Sequence, residues 1–144
     1  MTPYVIDASV AARFLLVEDL SDKAELVLEG YVNGTIDLAA PRLVAYEVGN
    51  TLWKAFKRGA ISAQAAKEKT AQFMGLKINF LELNNDDYEE IMEWSAKNDA
   101  SYYDGTYVVA SKKVKGVLLT ADDMLYEKAG RAVPTMHLRD FIKK

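Results

Sequence analysis

The 144-residue sequence contains no cysteine, a single histidine, three prolines and eight glycines. Without cysteine there is no disulfide framework and no thiolate zinc site. His137 alone supplies no histidine-based cage or nucleophile pair, and its place near the end of the last expected strand reads as surface or structural. No apolar run approaches the ~18 residues of a membrane span. The opening MTPYVIDASV lacks the charged and apolar regions of a signal peptide. A cytoplasmic, non-membrane protein is therefore expected. Proline and glycine are too sparse for a linker, and no segment is repeated or of low complexity. An excess of positive charge is also missing: 18 basic residues stand against 21 acidic ones, for a net charge of −3. Any surface facing nucleic acid would have to be local.

Half of the residues are hydrophobic and 27% are charged, which excludes wholesale disorder. The length suits one domain, since domains most often run ~100–150 residues, so 1–144 is expected to be a single domain. Tyr4-Val5-Ile6 is a short, apolar, β-branched run of the kind a buried strand shows. Helices are expected over 8–16 and from Ser21 to Gly30 or Gly34, then a strand over 36–40 stopped by Pro41. The spacing of Val44, Val48, Leu52, Ala55 and Phe56 predicts a helix over 42–58, closed by Gly59. Ser62 opens the next helix, to about Met74. A period of two over 78–83 marks a half-buried strand. Asn84 or Asn85 caps a helix to Lys97 with a stripe of Tyr88, Ile91, Met92 and Ser95. A helix over 104–115, a strand over 117–120, a helix over 122–129, a strand over 133–136 and a terminal helix from Leu138 complete the chain. Strands alternating with helices imply an α/β fold: a three-layer α/β/α sandwich around a central parallel sheet of about five strands.

In such a sheet, ligands bind beyond the carboxyl ends of the strands, near the point where strand order reverses. Four acids from four elements can lie there. Asp7 follows the first strand directly, and Asp122 sits two positions past Thr120. Glu47 borders the apolar stripe of its helix, and Asp104 stands at a helix mouth. Each has a plainer explanation. Asp122 and Asp104 suit helix caps, and Glu47 suits a solvated helix edge. Asp7 is harder to explain that way, because a carboxylate ending a buried strand must be solvated, paired or metal-bound.

Four segments in order then resemble one family. Asp7-Ala8-Ser9 after a hydrophobic strand is similar to the opening Asp-x-Ser of the PIN-domain ribonucleases. Glu47-Val48-Gly49-Asn50-Thr51-Leu52 resembles their glutamate helix, and 103–110, beginning Tyr103-Asp104-Gly105, their central aspartate motif. Thr120-Ala121-Asp122-Asp123-Met124-Leu125 resembles their Thr-x-Asp-x-x-Leu motif. Gly105 departs from the pattern, standing where a small residue with a side chain is commoner, which could loosen that helix start. The size is that of the VapC-type toxins of toxin–antitoxin pairs.

The resemblance implies a metal-dependent endoribonuclease. Asp7, Glu47, Asp104 and Asp122 would bind Mg²⁺ or Mn²⁺ and carry the cleavage of RNA, with Ser9 and Thr120 supporting them. It also implies a homodimer and a cognate antitoxin, for which Phe14, Leu15, Leu16, Trp53 and Phe56 offer apolar surface, although each suits a core equally. Electrostatics agrees with the metal. Two like charges ~4 Å apart repel by about 4 kcal/mol at an effective dielectric near ~20. Four converging carboxylates would then exceed the ~5–15 kcal/mol that stabilises a typical domain, unless protons or cations intervene. Hard divalent ions suit oxygen ligands best. Arg13, Lys54, Lys57, Arg58, Lys112 and Lys113 are candidate phosphate contacts, or solvated helix ends.

Two other classes compete. An aspartate-phosphate protein also places acids at strand ends. The haloacid type needs Asp-x-Asp where Ser9 stands, and a receiver needs an acid ending strand three where this chain has Leu83-Asn84. A non-catalytic PIN scaffold binding RNA or protein would have no need of all four acids.

Overall fold

The structure is a computed structural model that describes residues 1–143. Its strands are β1 (Tyr4–Ile6), β2 (Leu38–Pro41), β3 (Asn79–Leu81), β4 (Val117–Thr120) and β5 (Thr135–His137). Its helices are α1 (Ala8–Ala12), α2 (Ser21–Val32), α3 (Leu43–Lys57), α4 (Ala63–Gly75), α5 (Asn85–Asn98), α6 (Tyr102–Val114) and α7 (Asp123–Ala129). The strands form one parallel sheet in the order β3-β2-β1-β4-β5. Strand order reverses between β1 and β4. All residues of β1 and β2 are buried, so helices cover both faces of the sheet's centre. Helix α6 packs on β1, β2 and β4 and carries α5 on its far side, while α1 packs against α3. The α/β architecture expected from the alternating pattern is present.

The differences from expectation have local causes. Helix α1 stops at Ala12 because Arg13 leaves the α ladder, its side chain turning to the Ser9 carbonyl and to Asp19. Pro41 is the last residue of β2 rather than the residue beyond it: its fixed φ suits extended backbone, it pairs in register with Leu81, and the strand ends where Arg42 turns into α3. Strand β5 runs to His137, where its partner is Thr120. The expected terminal helix is only a 3-10 turn over Leu138–Asp140 among the described residues. In α5 only Ile91 and Ser95 of the expected stripe are buried. Tyr88 and Met92 are exposed.

Gly105 is the main correction. It does not loosen α6; it permits α5 and α6 to cross closely. A Cβ at this position would clash with Ser95 Oγ and lie 3.1 Å from the Ile91 carbonyl oxygen. Any side chain here must displace Ser95 Oγ and press on the Ile91 carbonyl, which glycine avoids.

Candidate active site

Asp7 is the first residue after β1, and Asp122 lies two residues past the end of β4. These two strands flank the reversal of strand order, where an open sheet forms its crevice. Asp7 is 5% exposed. As N-cap of α1, it accepts a hydrogen bond from the Val10 N–H at 3.2 Å. Ser9 Oγ donates to Asp7 Oδ1 and Thr120 Oγ1 donates to Asp7 Oδ2, both at 2.6 Å. The two hydroxyls are held in turn: the Ala121 N–H donates to Ser9 Oγ at 2.9 Å, and the Asp122 N–H to Thr120 Oγ1 at 3.0 Å. The ends of β1 and β4 are therefore tied through one carboxylate. Burial pushes the Asp7 carboxyl up to about 6; the three hydrogen bonds oppose this, and the charge of Asp122 adds to it.

The cap explanation holds for one of the remaining acids and fails for another. Asp122 does cap α7, its Oδ1 accepting from the Leu125 N–H at 2.8 Å. Asp104 caps nothing. Helix α6 begins two residues earlier than its spacing suggested, and Ser101 Oγ accepts from the Asp104 N–H at 3.0 Å. The Asp104 carboxylate therefore stands in the first turn of α6 without capping it. Burial, then the charges of Asp122 and Glu47, raise its pKa. Glu47 is half-buried in α3 and accepts a 2.7 Å hydrogen bond from the Tyr107 hydroxyl of α6. Burial and the Glu47 charge hold the Tyr107 hydroxyl far above its ordinary pKa, with Asp7 also contributing.

The four acids thus occupy one end of the sheet and act on one another electrostatically. As the side chains stand, no three His, Cys, Asp or Glu groups among the described residues are gathered closely enough to hold a metal ion. The donor chemistry nevertheless suits a hard divalent cation: four carboxylates and two hydroxyls, without sulfur or imidazole. Like-charge coupling around a buried carboxylate is what a cation would relieve. His137 takes no part. Its Nδ1 accepts from the Arg139 N–H at 3.1 Å, which leaves Nε2 to donate to Asp123 at 2.8 Å.

Of the basic residues singled out in the sequence, only Arg13 comes near the site, through its bond to the Ser9 carbonyl, and acids already pair with it and with two of the others. Arg13 pairs with Glu18 and Asp19, Lys112 with Glu90 and Lys113 with Asp87. Lys54, Lys57 and Arg58 sit at the end of α3 remote from Glu47. The cation that does act on Asp104 is Lys128 of α7, which lowers its pKa. Lys128 and Tyr107 were missed because neither stands beside one of the four candidate acids in the sequence; three-dimensional packing brings them there.

A sequence profile for the PIN domain matches residues 4–131. The chain belongs to the PIN-domain family. Ribonuclease VapC3 of Pyrobaculum aerophilum is 33% identical over 133 residues, which covers 86% of this chain and 92% of the relative. Exonuclease VapC9 of the same organism is 27% identical over 96 residues, with coverage of 67% and 70%. In structure, the PIN domain resembles PAE2754 from Pyrobaculum aerophilum, with a TM-score of 0.73 and 23% identity over 96% of this chain and 90% of that one. It also resembles FitAcB from Neisseria gonorrhoeae, with a TM-score of 0.63 and 14% identity over 96% and 99%. These two likenesses carry the fold.

Within this PIN domain, Tyr107 is placed to hold Glu47. Tyr107→Phe removes a buried donor to a carboxylate, and a stability loss of about 1–3 kcal/mol is expected in denaturant titration. A midpoint equal to that of the wild type would show that Glu47 has another anchor.

Proposed function

We propose that this PIN domain is a divalent-metal-dependent endoribonuclease and the toxin half of a toxin–antitoxin pair, with residues 1–144 acting as one nuclease domain in the cytoplasm. The observation that carries the reading is the buried Asp7 carboxylate at the strand-order reversal, coupled in charge to Asp122, which acts on Asp104 as Glu47 also does. Asp7, Glu47, Asp104 and Asp122 would hold Mg²⁺ or Mn²⁺. Such an ion, when bound, supplies Lewis acidity toward a phosphodiester and makes a water more acidic. Ser9 and Thr120 orient Asp7, Tyr107 holds Glu47, and Lys128 adds a positive charge that can face a phosphate. The names of the two relatives support a nuclease, and VapC3 supports RNA as the substrate. A homodimer and a protein antitoxin belong to the same reading. Trp53 and Phe56, 54% and 40% exposed, offer apolar surface for such contacts.

The relative named an exonuclease favours a second reading, attack from a chain end. A closed circular single-stranded RNA separates the two, because it has no end. Linearisation in Mg²⁺ or Mn²⁺ and none in EDTA is the expected result. Degradation of linear RNA alone would establish the exonuclease. Cleavage of either substrate after exhaustive chelation would reject the metal.

A further inference from the structure

Beside the acidic crevice lies a second cleft of about 270 Å³, whose lining includes Arg42, Leu43, Glu82, Tyr88, Tyr102 and Tyr103. It opens where β2 and β3 end, between the first turns of α3 and α6. Those same turns lead into the site: Leu43 precedes Glu47 by one helical turn, and Tyr103 adjoins Asp104. Three tyrosines from two helices converge here, and all keep ring surface in solvent: Tyr88 is 49% exposed, Tyr102 37% and Tyr103 58%. Arg42 lies with its guanidinium 5.3 Å from the Phe80 ring centroid and 3.2 Å from Glu82. Both ionic side chains face water, at 58% and 85% exposure.

Exposed aromatic rings cost solvation unless something covers them, and a hydrophobic core has no use for an arginine. A flat π-system carrying a negative charge satisfies both features. Aromatic rings stack on unpaired bases whatever their identity, while arginine contacts phosphate. Glu82 adds a hydrogen-bond acceptor for an exocyclic amino group. A paired base offers no free face, so a duplex cannot use such a platform.

Building on the nuclease reading above, we propose that the Tyr88–Tyr102–Tyr103 cleft is a nucleobase subsite that holds an unpaired nucleotide of single-stranded RNA next to the scissile phosphate, with Arg42 contacting the backbone. The subsite selects single strands over duplexes. It positions substrate and takes no part in bond cleavage.

The test is fluorescence anisotropy with a labelled mixed-sequence single-stranded RNA, alone and annealed to its complement, in low-salt EDTA buffer. Wild type, Tyr88→Ala, Tyr88→Phe, Tyr103→Ala and Arg42→Ala are compared, with Mn²⁺-dependent cleavage of the single strand measured in parallel. Wild type is expected to prefer the single strand. Each alanine variant at a tyrosine should lose about tenfold in affinity for it, and Tyr88→Phe should bind as wild type, since stacking needs the ring and not the hydroxyl. Arg42→Ala should flatten the salt dependence of log affinity by about 0.7. Cleavage by the wild type with equal single-strand affinity in wild type and both tyrosine-to-alanine variants would overturn the subsite while leaving the nuclease intact. Loss of an inhibitory protein's binding, with RNA affinity unchanged, would assign the cleft to that protein and likewise overturn the proposal. A wild type that neither binds nor cleaves RNA would overturn the nuclease reading and the subsite with it.

Discussion

Asp7→Asn is expected to abolish RNA cleavage and yet to melt at a higher temperature than the wild type in EDTA. The two effects share a cause. The Asp7 carboxyl is buried, and its pKa is pushed up to about 6 from an ordinary 3.8. At pH 7 the chain therefore carries an ionised group that it would hold more comfortably protonated. Each pKa unit corresponds to ~1.4 kcal/mol, and asparagine remains a buried polar group, so the net gain is expected to be about 1–2 kcal/mol. Ser9 can still donate to the amide oxygen, and Thr120 can accept from the amide nitrogen.

The pH dependence follows in sign. Because the folded chain binds this proton more tightly than the unfolded one, the associated stability is fully present below about 3.8 and is lost as pH rises through about 6. Melts of wild type and Asp7→Asn in EDTA should thus converge toward pH 4 and separate above pH 6. Excess Mn²⁺ should reverse the order by stabilising the wild type as RT ln(1 + [L]/Kd), about 2.7 kcal/mol at 100 times Kd, with a smaller gain for the variant. Identical metal responses would remove Asp7 from the ion site. In cells, expression of the wild type without a partner should arrest growth. Equal toxicity of Asp7→Asn at matched expression would reject catalysis as the cause.

Gly105→Val is expected to be the most destabilising single substitution at the α5–α6 crossing. The added side chain meets Ser95 Oγ, which is already engaged with the Ser101 carbonyl, and the Ile91 carbonyl oxygen, which belongs to a helix backbone and cannot turn away. Overpacking of this kind costs about 1–3 kcal/mol for modest additions, and the branched side chain should exceed that range. Gly105→Ala is the more informative control. Alanine favours a helix interior by ~1 kcal/mol over glycine, yet its single methyl still meets the fixed carbonyl. Sterics should win, with a net loss of stability. Ser95→Gly combined with Gly105→Ala should recover part of that loss, as a coupling of at least ~0.5 kcal/mol in a denaturant-melt cycle. A stabilised Gly105→Ala would mean that α5 can move away, and the crossing would not be tight.

The kind and order of the elements were legible from the residues because their signals are local. The run Tyr4-Val5-Ile6, the spacing of Val44, Val48 and Leu52, and the serine and asparagine caps each act within a few residues. Element ends were less legible. Ser101 rather than Asp104 starts α6, and two serviceable caps three residues apart cannot be ranked without the packing of α5. Asp7, Asp104 and Asp122 could be singled out because acids at strand ends and helix starts are visible in one dimension, and Glu47 because it borders an apolar stripe; the four family-like segments joined them into a set.

Their relation could not. Strand order β3-β2-β1-β4-β5 brings Asp7 beside Thr120 and Asp122 across more than a hundred residues, and no local preference encodes which strands pair. Only the folded chain could show that Tyr107 holds Glu47, that Lys128 rather than the lysines of α3 and α6 acts on Asp104, and that Tyr88 joins Tyr102 and Tyr103 in one cleft. Local periodicity determines which face of an element is apolar. Mutual burial of those faces determines which polar ends meet, and a burial that raises the Asp7 carboxyl to about 6 exists only once β1 and β4 lie side by side.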